Sequence, residues 1–274
     1  FCAAYRLAPE DPFPAALDDA VVSYQYLLSK GYGPNQILLC GESAGGGLCY
    51  ALCLRLKQLK LPLPCGIIAI SPWTDLTQSG ATFDENRDND PSLSKELLDF
   101  YSACYTQNPK NSLCSPLFGN LKDLPPSLLF AGGDEILLDD ARRLHQKLLD
   151  AGCKSKLHIA PERWHAYVLY CLAENMQDDF GSINHFLDKT LSPAKSLRWM
   201  KIDNAAKIYP AAKRRTWTNY FRLSATLTEP IDLPTLRAAL DVTVRRFPSI
   251  AVRLRRGAFW YYLEQIPKAP DIQE

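Results

Sequence analysis

The sequence lacks any apolar run of the roughly 20 residues that a helix needs to cross a bilayer. Its longest candidate, residues 61–73, is interrupted by three prolines. We therefore expect no stable membrane insertion.

Metal-site and disulfide patterns are also missing. There is no Cys-x-x-Cys pair and no Cys/His cluster, the spacings typical of zinc sites. The nine cysteines are an odd number without framework spacing, and free cysteine in an apolar run packs as a small hydrophobe. We expect no bound metal and a reducing, cytoplasmic location. The cysteines that lie in apolar runs are Cys40, Cys49, Cys53 and Cys65.

The charge distribution is uneven although the net charge is only +1. Residues 1–192 contain 23 acidic and 16 basic side chains, whereas residues 193–274 contain 7 acidic and 15 basic ones. This asymmetry predicts two domains with different surfaces, residues 1–192 and residues 193–274. The basic charges are scattered and no nucleic-acid module is visible, so we expect no nucleic-acid partner.

Residues 41–45 are the most informative feature that is present. The apolar run Ile37–Cys40 leads into Gly41-Glu42-Ser43-Ala44-Gly45 and then into a helix-like stretch, which is typical of a nucleophile elbow. We expect Ser43 at a sharp, strained turn, because side chains two residues before and after it would collide with the backbone. The Ala44 amide would face a developing oxyanion. A Gly-rich strand-to-helix turn could also cradle a phosphate, although Gly-x-Gly-x-x-Gly and Gly-Lys-Ser/Thr are both absent.

Strand-like and helix-like stretches alternate as far as residue 192. This alternation predicts an α/β fold with a mostly parallel, doubly wound sheet and helices on both faces. Ligands of such sheets bind beyond the carboxyl ends of the strands, where Ser43 lies. The predicted strands are Ile37–Cys40, Gly66–Ile70, Ser127–Ala131 and Ser155–Ala160, with a further apolar run at Phe1–Tyr5; the predicted helices are Pro14–Leu28, Leu48–Lys60, Ser92–Cys104, Leu137–Ala151 and the largely helical Tyr167–Leu187.

A serine nucleophile needs a histidine base, and the sequence has four histidines. His145 and His185 fall inside predicted helices, and His158 falls inside a predicted strand. His165 instead follows a strand, in a loop directly before a helix. We therefore predict His165 as the base.

The base in turn needs an orienting carboxylate. Asp134 follows the strand Ser127–Ala131 through two glycines, so we predict Asp134 as the acid. A helix N-cap is the other interpretation of this residue, and Glu135 is the nearest alternative acid. The chain order Ser43, Asp134, His165 is that of alpha/beta hydrolases.

Further motifs occur in a fixed order around these residues. They resemble the hormone-sensitive-lipase-like alpha/beta hydrolases, of the acetyl esterase/lipase type, over roughly residues 1–190. The resemblance implies the alpha/beta-hydrolase fold, the triad Ser43, Asp134 and His165, no cofactor, and a place for Ser92–Cys104 in a cap over the acyl site. The motifs are Tyr5-Arg6-Leu7-Ala8-Pro9-Glu10, Pro12-Phe13-Pro14-Ala15-Ala16, Asp18-Asp19, Gly41 to Gly46, Ser71-Pro72-Trp73-Thr74-Asp75-Leu76, Ser115-Pro116-Leu117, Leu124-Pro125-Pro126 and Gly133 to Asp140.

The resemblance also implies a His-Gly-Gly-Gly loop whose amides supply most of the oxyanion hole, upstream of the first motif. Because the sequence begins at Phe1, we expect the domain 1–192 to lack its N-terminal part, including the first strands of the sheet. The remaining oxyanion donors would lie upstream of Phe1, and the fragment itself would have little activity. His165 is followed by Ala166-Tyr167, where many family members have Gly-Phe.

Residues 193–274 contain no histidine and no cysteine. Their pattern predicts a strand at Thr216–Leu227, a helix at Leu233–Arg246 and a strand at Arg253–Glu264. This stretch resembles the start of a condensation-domain or alcohol-acetyltransferase-like acyltransferase, a partial α+β segment, and no catalytic residue is carried over to it. The resemblance rests on Asp203 to Pro210, Arg246-Phe247-Pro248 and Phe259 to Glu264.

These patterns predict a serine carboxylic-ester hydrolase that acts on small or short-chain acyl esters through an acyl-enzyme. Two alternatives remain open. One is an acyltransferase or deacetylase that uses the same acyl-enzyme, and the other is a non-catalytic ligand-binding domain with a hydrolase fold.

Overall fold

The computed structural model describes residues 1–170, 177–191, 199–201, 252–256 and 261–265. The chain divides into two compact units, Phe1–Ala194 and Lys195–Glu274. Each unit has its own sheet.

The first unit contains a parallel sheet with the strand order β1-β2-β3-β4. β2 and β3 are buried along their whole length, as expected for apolar strands covered on both faces. Because all four strands run in the same direction, their carboxyl ends lie along one edge. The strands are β1 (Leu38–Glu42), β2 (Gly66–Ile70), β3 (Ser127–Gly132) and β4 (Ser155–Ala160).

Helices cover both faces of this sheet, as the alternation of elements predicts. Ile67 and Ala69 of β2 pack in one core cluster with residues of α2 and α5. The opposite face meets α6, since a Cβ on Gly66 would lie 2.6 Å from Thr190 and 3.2 Å from Phe186. The helices are α1 (Ala15–Ser29), α2 (Ser43–Gln58), α3 (Thr82–Glu85), α4 (Lys95–Tyr105), α5 (Leu138–Asp150) and α6 (Gln177–Thr190), with 3₁₀ turns at Pro34–Gln36, Pro116–Phe118 and Tyr167–Tyr170.

Several predicted bounds shift by a few residues, and the largest differences from the structure are at the chain start and at the start of α2. The apolar run Phe1–Tyr5 is not a strand, because a strand exists only through pairing and none of the described strands pairs with it. α2 begins at Ser43 and not at Leu48. Three of its first five residues are glycines, which carry no side chain and so give no helical pattern.

The second unit contains an antiparallel sheet with the order β5-β7-β6: β5 (Trp199–Lys201), β6 (Val252–Arg256) and β7 (Tyr261–Gln265). The prediction of one strand over Arg253–Glu264 is wrong, because β6 and β7 are separate strands paired antiparallel. The sequence signal for the break is Gly257. The predicted strand Thr216–Leu227 and helix Leu233–Arg246 lie outside the described residues.

None of the helices in the described part of the chain has the length and the apolar character that a membrane span requires.

Candidate active site

Ser43 lies at the junction of β1 and α2 with a φ of 49°. This left-handed conformation costs a non-glycine residue about 1 kcal/mol or more. It is the strained strand-to-helix turn that the elbow motif predicts. The turn makes the half-buried Ser43 the first residue of α2 and puts the exposed Ala44 in the first helical turn, where N–H groups have no partner within the helix.

The glycines around Ser43 have different roles. A Cβ on Gly41 would lie 2.2 Å from the carbonyl oxygen of Gly45, so only glycine fits at residue 41. Gly45 has open space around its own Cβ position, and the expectation that a side chain two residues after Ser43 would collide is wrong. The second close approach occurs at Gly47, whose Cβ would lie 2.1 Å from the carbonyl oxygen of Trp73.

His165 follows β4 and is buried. Its Nδ1 lies 3.4 Å from Oε2 of Glu135, a carboxylate with no solvent exposure. Among the described residues, neither carboxyl oxygen of Glu135 has an aligned hydrogen-bond partner. The same holds for Nδ1 of His165. The two groups are therefore within ion-pair distance but not in hydrogen-bond alignment, and they form an ion pair only when His165 is protonated. Catalytic hydrogen bonds are often long in unliganded sites and tighten when substrate binds.

The structure thus places Glu135, and not the predicted Asp134, against His165. Asp134 is half-exposed, and its backbone N–H donates to the carbonyl of Arg163 at 2.9 Å. This bond ties the backbone of Asp134 to the loop before His165, and the side chain of Glu135 is the one that contacts the imidazole. The sequence offers one weak signal for Glu135, a carboxylate directly ahead of the apolar residues Ile136 and Leu137.

The surroundings of Glu135 control its ionisation. Burial raises the pKa of its carboxyl, because a charge is costly in a low-dielectric interior. The contact with His165 and the nearby Ser71 hydroxyl and Gly132 amide oppose the rise. The carboxyl group of Glu135 therefore interacts with the imidazole of His165 rather than with water.

The segment after β2 joins the elbow to the histidine loop. The backbone N–H of Trp73 donates to the carbonyl of Ser43 at 2.9 Å. The N–H of Ala166 donates to Oγ of Ser71 at 2.9 Å. Residues that follow β1 and β4 are thereby bonded to the segment after β2. Ser71 is part of a family motif in the sequence, which predicts no role of its own for this residue.

Two other histidines have partners elsewhere. His145 Nδ1 lies 2.8 Å from Oγ of Ser155, at the amino end of β4, and burial lowers the pKa of His145. His158 stacks on Phe130 with ring centroids 5.1 Å apart. These contacts agree with a structural role for both residues.

An apolar cavity of about 380 Å³ lies beside Ala44. Trp73 and Leu76 line it, together with Phe100, Tyr101 and Tyr105 of α4. α4 is the helix that the family resemblance assigns to a cap over the acyl site. The mostly apolar lining suits an uncharged, apolar group next to Ala44.

Part of the chain is similar in sequence to known proteins. Residues 1–169 match the model of a family described as having the alpha/beta hydrolase fold. An acetyl-hydrolase of Streptomyces hygroscopicus is 39% identical over 168 residues, which are 61% of this chain and 56% of that protein. An esterase of Acinetobacter venetianus is 38% identical over 169 residues, 61% of this chain and 56% of that protein.

The chain is also similar to solved protein structures. The crystal structure of an esterase from the bacterial hormone-sensitive lipase family aligns with a TM-score of 0.67 and 39% identity, covering 69% of this chain and 65% of the other. The chain spans about half the length of the curated relatives it matches.

Proposed function

The chain belongs to the alpha/beta hydrolase fold family, and on that premise we propose that it carries the nucleophile, base and acid of a serine carboxylesterase. The residues are Ser43, His165 and Glu135. The observation that carries the proposal is the buried contact of 3.4 Å between Glu135 and His165, at the same sheet edge as the strained Ser43.

The mechanism follows from these positions. With Nδ1 of His165 facing Glu135, Nε2 is left to take the proton of the Ser43 hydroxyl as its Oγ attacks the ester carbonyl carbon. The Ala44 amide donates to the resulting oxyanion. His165 then protonates the departing alcohol, which leaves an acyl-Ser43. In the second half, His165 takes a proton from water, whose oxygen attacks the acyl carbon. As the bond between the acyl carbon and Oγ of Ser43 breaks, His165 returns the proton to Oγ, and the acid is released.

Glu135 acts through His165 in both halves. It keeps the imidazole in the tautomer with the proton on Nδ1 and stabilises the imidazolium that forms. The buried position of Glu135 strengthens this interaction because water does not screen it.

The substrate class follows from the cavity and the relatives. The lining of the cavity beside Ala44 is mostly apolar, which supports an acyl ester with a small, uncharged acyl group. Relatives named acetyl-hydrolase and esterase support a small or short acyl group. We propose short-chain acyl esters as the substrates.

The test uses the protein expressed from its full reading frame with p-nitrophenyl acetate. We expect the wild type to release p-nitrophenol and Ser43→Ala to lose at least about 10⁴-fold in kcat, since removal of the nucleophile leaves only binding and the oxyanion donors. Ser29→Ala, an exposed serine at the end of α1, is the matched control and should keep full activity. Unchanged turnover in Ser43→Ala would refute the proposal. Product analysis with added alcohol separates hydrolysis from acyl transfer.

A further inference from the structure

The loop that carries Glu135 is held by side chains of one distant segment, residues 82–90, which we call the acid-loop clamp. Asn86 is its centre. Nδ2 of Asn86 donates to the backbone carbonyl of Gly133 at 3.0 Å and to that of Glu135 itself at 2.9 Å. Both bonds come from one amide group, so this single side chain sets the spacing of the two carbonyls.

Thr82 and Asp90 complete the acid-loop clamp. Oγ1 of Thr82 donates to the carbonyl of Ile136 at 2.9 Å and accepts from the N–H of Asp139 at 3.0 Å. The N–H of Ile136 donates to Oδ2 of Asp90 at 3.0 Å. Thr82 and Asp90 are both buried, so water does not replace these bonds.

The side chain of Glu135 lacks comparable support. Neither of its oxygens has an aligned hydrogen bond among the described residues. The direction of the carboxylate is therefore set by the backbone to which it is attached. A shift of about 1 Å at a catalytic group can cost 10²-fold in rate, and a displaced carboxylate would lose its contact with His165.

We propose that Asn86 is a positioning residue of the active site, which holds the backbone of Glu135 so that the carboxylate faces His165. This role rests on the proposed esterase function. It goes beyond a contribution to folding, because it requires that the loss of Asn86 lowers kcat in protein that is still folded.

The first experiment compares Asn86→Ala with a matched control in the protein expressed from its full reading frame. We expect kcat to fall about 10- to 100-fold with KM within about twofold, as for other residues that orient a catalytic group. The control is Tyr24→Phe, which also removes a side-chain hydrogen bond to a carbonyl, that of Pro62 at 2.9 Å, but on α1. Tyr24→Phe should keep its kcat. If Asn86→Ala does not fold, Thr82→Val, which keeps the side-chain shape, takes its place with the same expectation.

The second experiment asks whether Asn86 acts through Glu135. In a Glu135→Gln background, Asn86→Ala should change the rate of Ser43 labelling by a fluorophosphonate less than about twofold, because residues that act as a unit are not additive. A tenfold loss that persists in that background would overturn the proposal, as would an unchanged kcat in folded Asn86→Ala. If the wild type shows no turnover, the proposed function is overturned and the role of Asn86 with it. This outcome can be told apart from a failure of the Asn86 proposal alone, in which the wild type is active.

Discussion

Gly41 and Gly45 flank Ser43 symmetrically in the sequence but not in space. The position of a Cβ on Gly41 is occupied by the Gly45 carbonyl at 2.2 Å, whereas nothing lies within 4 Å of a Cβ on Gly45. The elbow therefore needs the backbone of Gly45 close to residue 41, but it does not need the absence of a side chain at residue 45.

This difference predicts opposite effects of alanine on stability. Gly41→Ala should lower the free energy of unfolding by about 2–3 kcal/mol, because the added methyl group forces the backbone apart. Gly45→Ala lies in α2 and should be neutral or stabilise by up to about 1 kcal/mol, since alanine favours helix over glycine. Urea unfolding of both variants measures the effect. Equal destabilisation by the two would contradict this account of the elbow.

Single residues also show where sequence reasoning stops. Ser43 could be predicted because Gly-x-Ser-x-Gly after a strand requires a particular turn, and the structure has that turn. His165 could be selected as the base because it follows a strand, whereas the other three histidines fall inside predicted helices or strands. The choice between Asp134 and Glu135 depends on the contact of Glu135 with His165, a contact between residues on different loops that no local pattern reveals.

At the scale of elements, α5 is locked to the segment after β2 by a buried carboxylate. Oδ2 of Asp140 accepts from the N–H groups of Thr74 at 2.6 Å and Asp75 at 2.8 Å. Burial, with the nearby carboxylate of Asp75, raises the pKa of Asp140 to about 8, although the amides of Thr74 and Asp75 oppose the rise. The same segment contacts Ser43 through Trp73, so this lock supports the elbow.

The raised pKa predicts how stability depends on pH. An unfolded aspartate loses its proton near pH 4, whereas folded Asp140 keeps its proton up to about pH 8. Folding therefore takes up a proton between these values, and the stability contributed by Asp140 falls as the pH rises through this window and is lost above it. We expect the free energy of unfolding to decline from pH 5 to pH 8.

The matching variant is Asp140→Asn, which keeps an acceptor oxygen but cannot ionise. Between pH 5 and pH 8 the free energy of unfolding of Asp140→Asn should decline less than that of the wild type, as measured by urea unfolding at several pH values. Asp150→Asn removes a carboxylate from the exposed end of the same helix and should follow the wild type. Parallel curves for the wild type and Asp140→Asn would contradict the prediction.

Elements were predictable where their signal is local. β2 and β4 have the predicted bounds, because each is a short run between turn residues. The start of α2 was missed because its first turn is glycine-rich. The prediction joins β6 and β7 because Gly257 is the single turn residue in the sequence between them, and their antiparallel pairing separates them.

At the scale of the molecule, the family model covers most of the first unit and ends before the second. The family model ends at residue 169, and the second unit begins at Lys195. The predicted boundary after residue 192, the acyltransferase-like nature of the following segment and the cytoplasmic location all stay predictions.

The central claim is that the fold joins residues from three strand ends into one catalytic site, with Glu135 and not Asp134 as the acid. The most direct test compares Glu135→Gln with Asp134→Asn in the protein expressed from its full reading frame. The two substituted residues are adjacent in the chain, and each substitution removes one carboxylate group. We predict that Glu135→Gln lowers kcat by about 10³- to 10⁴-fold, as loss of a triad carboxylate does, and that Asp134→Asn stays within about threefold of the wild type. A large loss in Asp134→Asn with near-normal kcat in Glu135→Gln would contradict the claim.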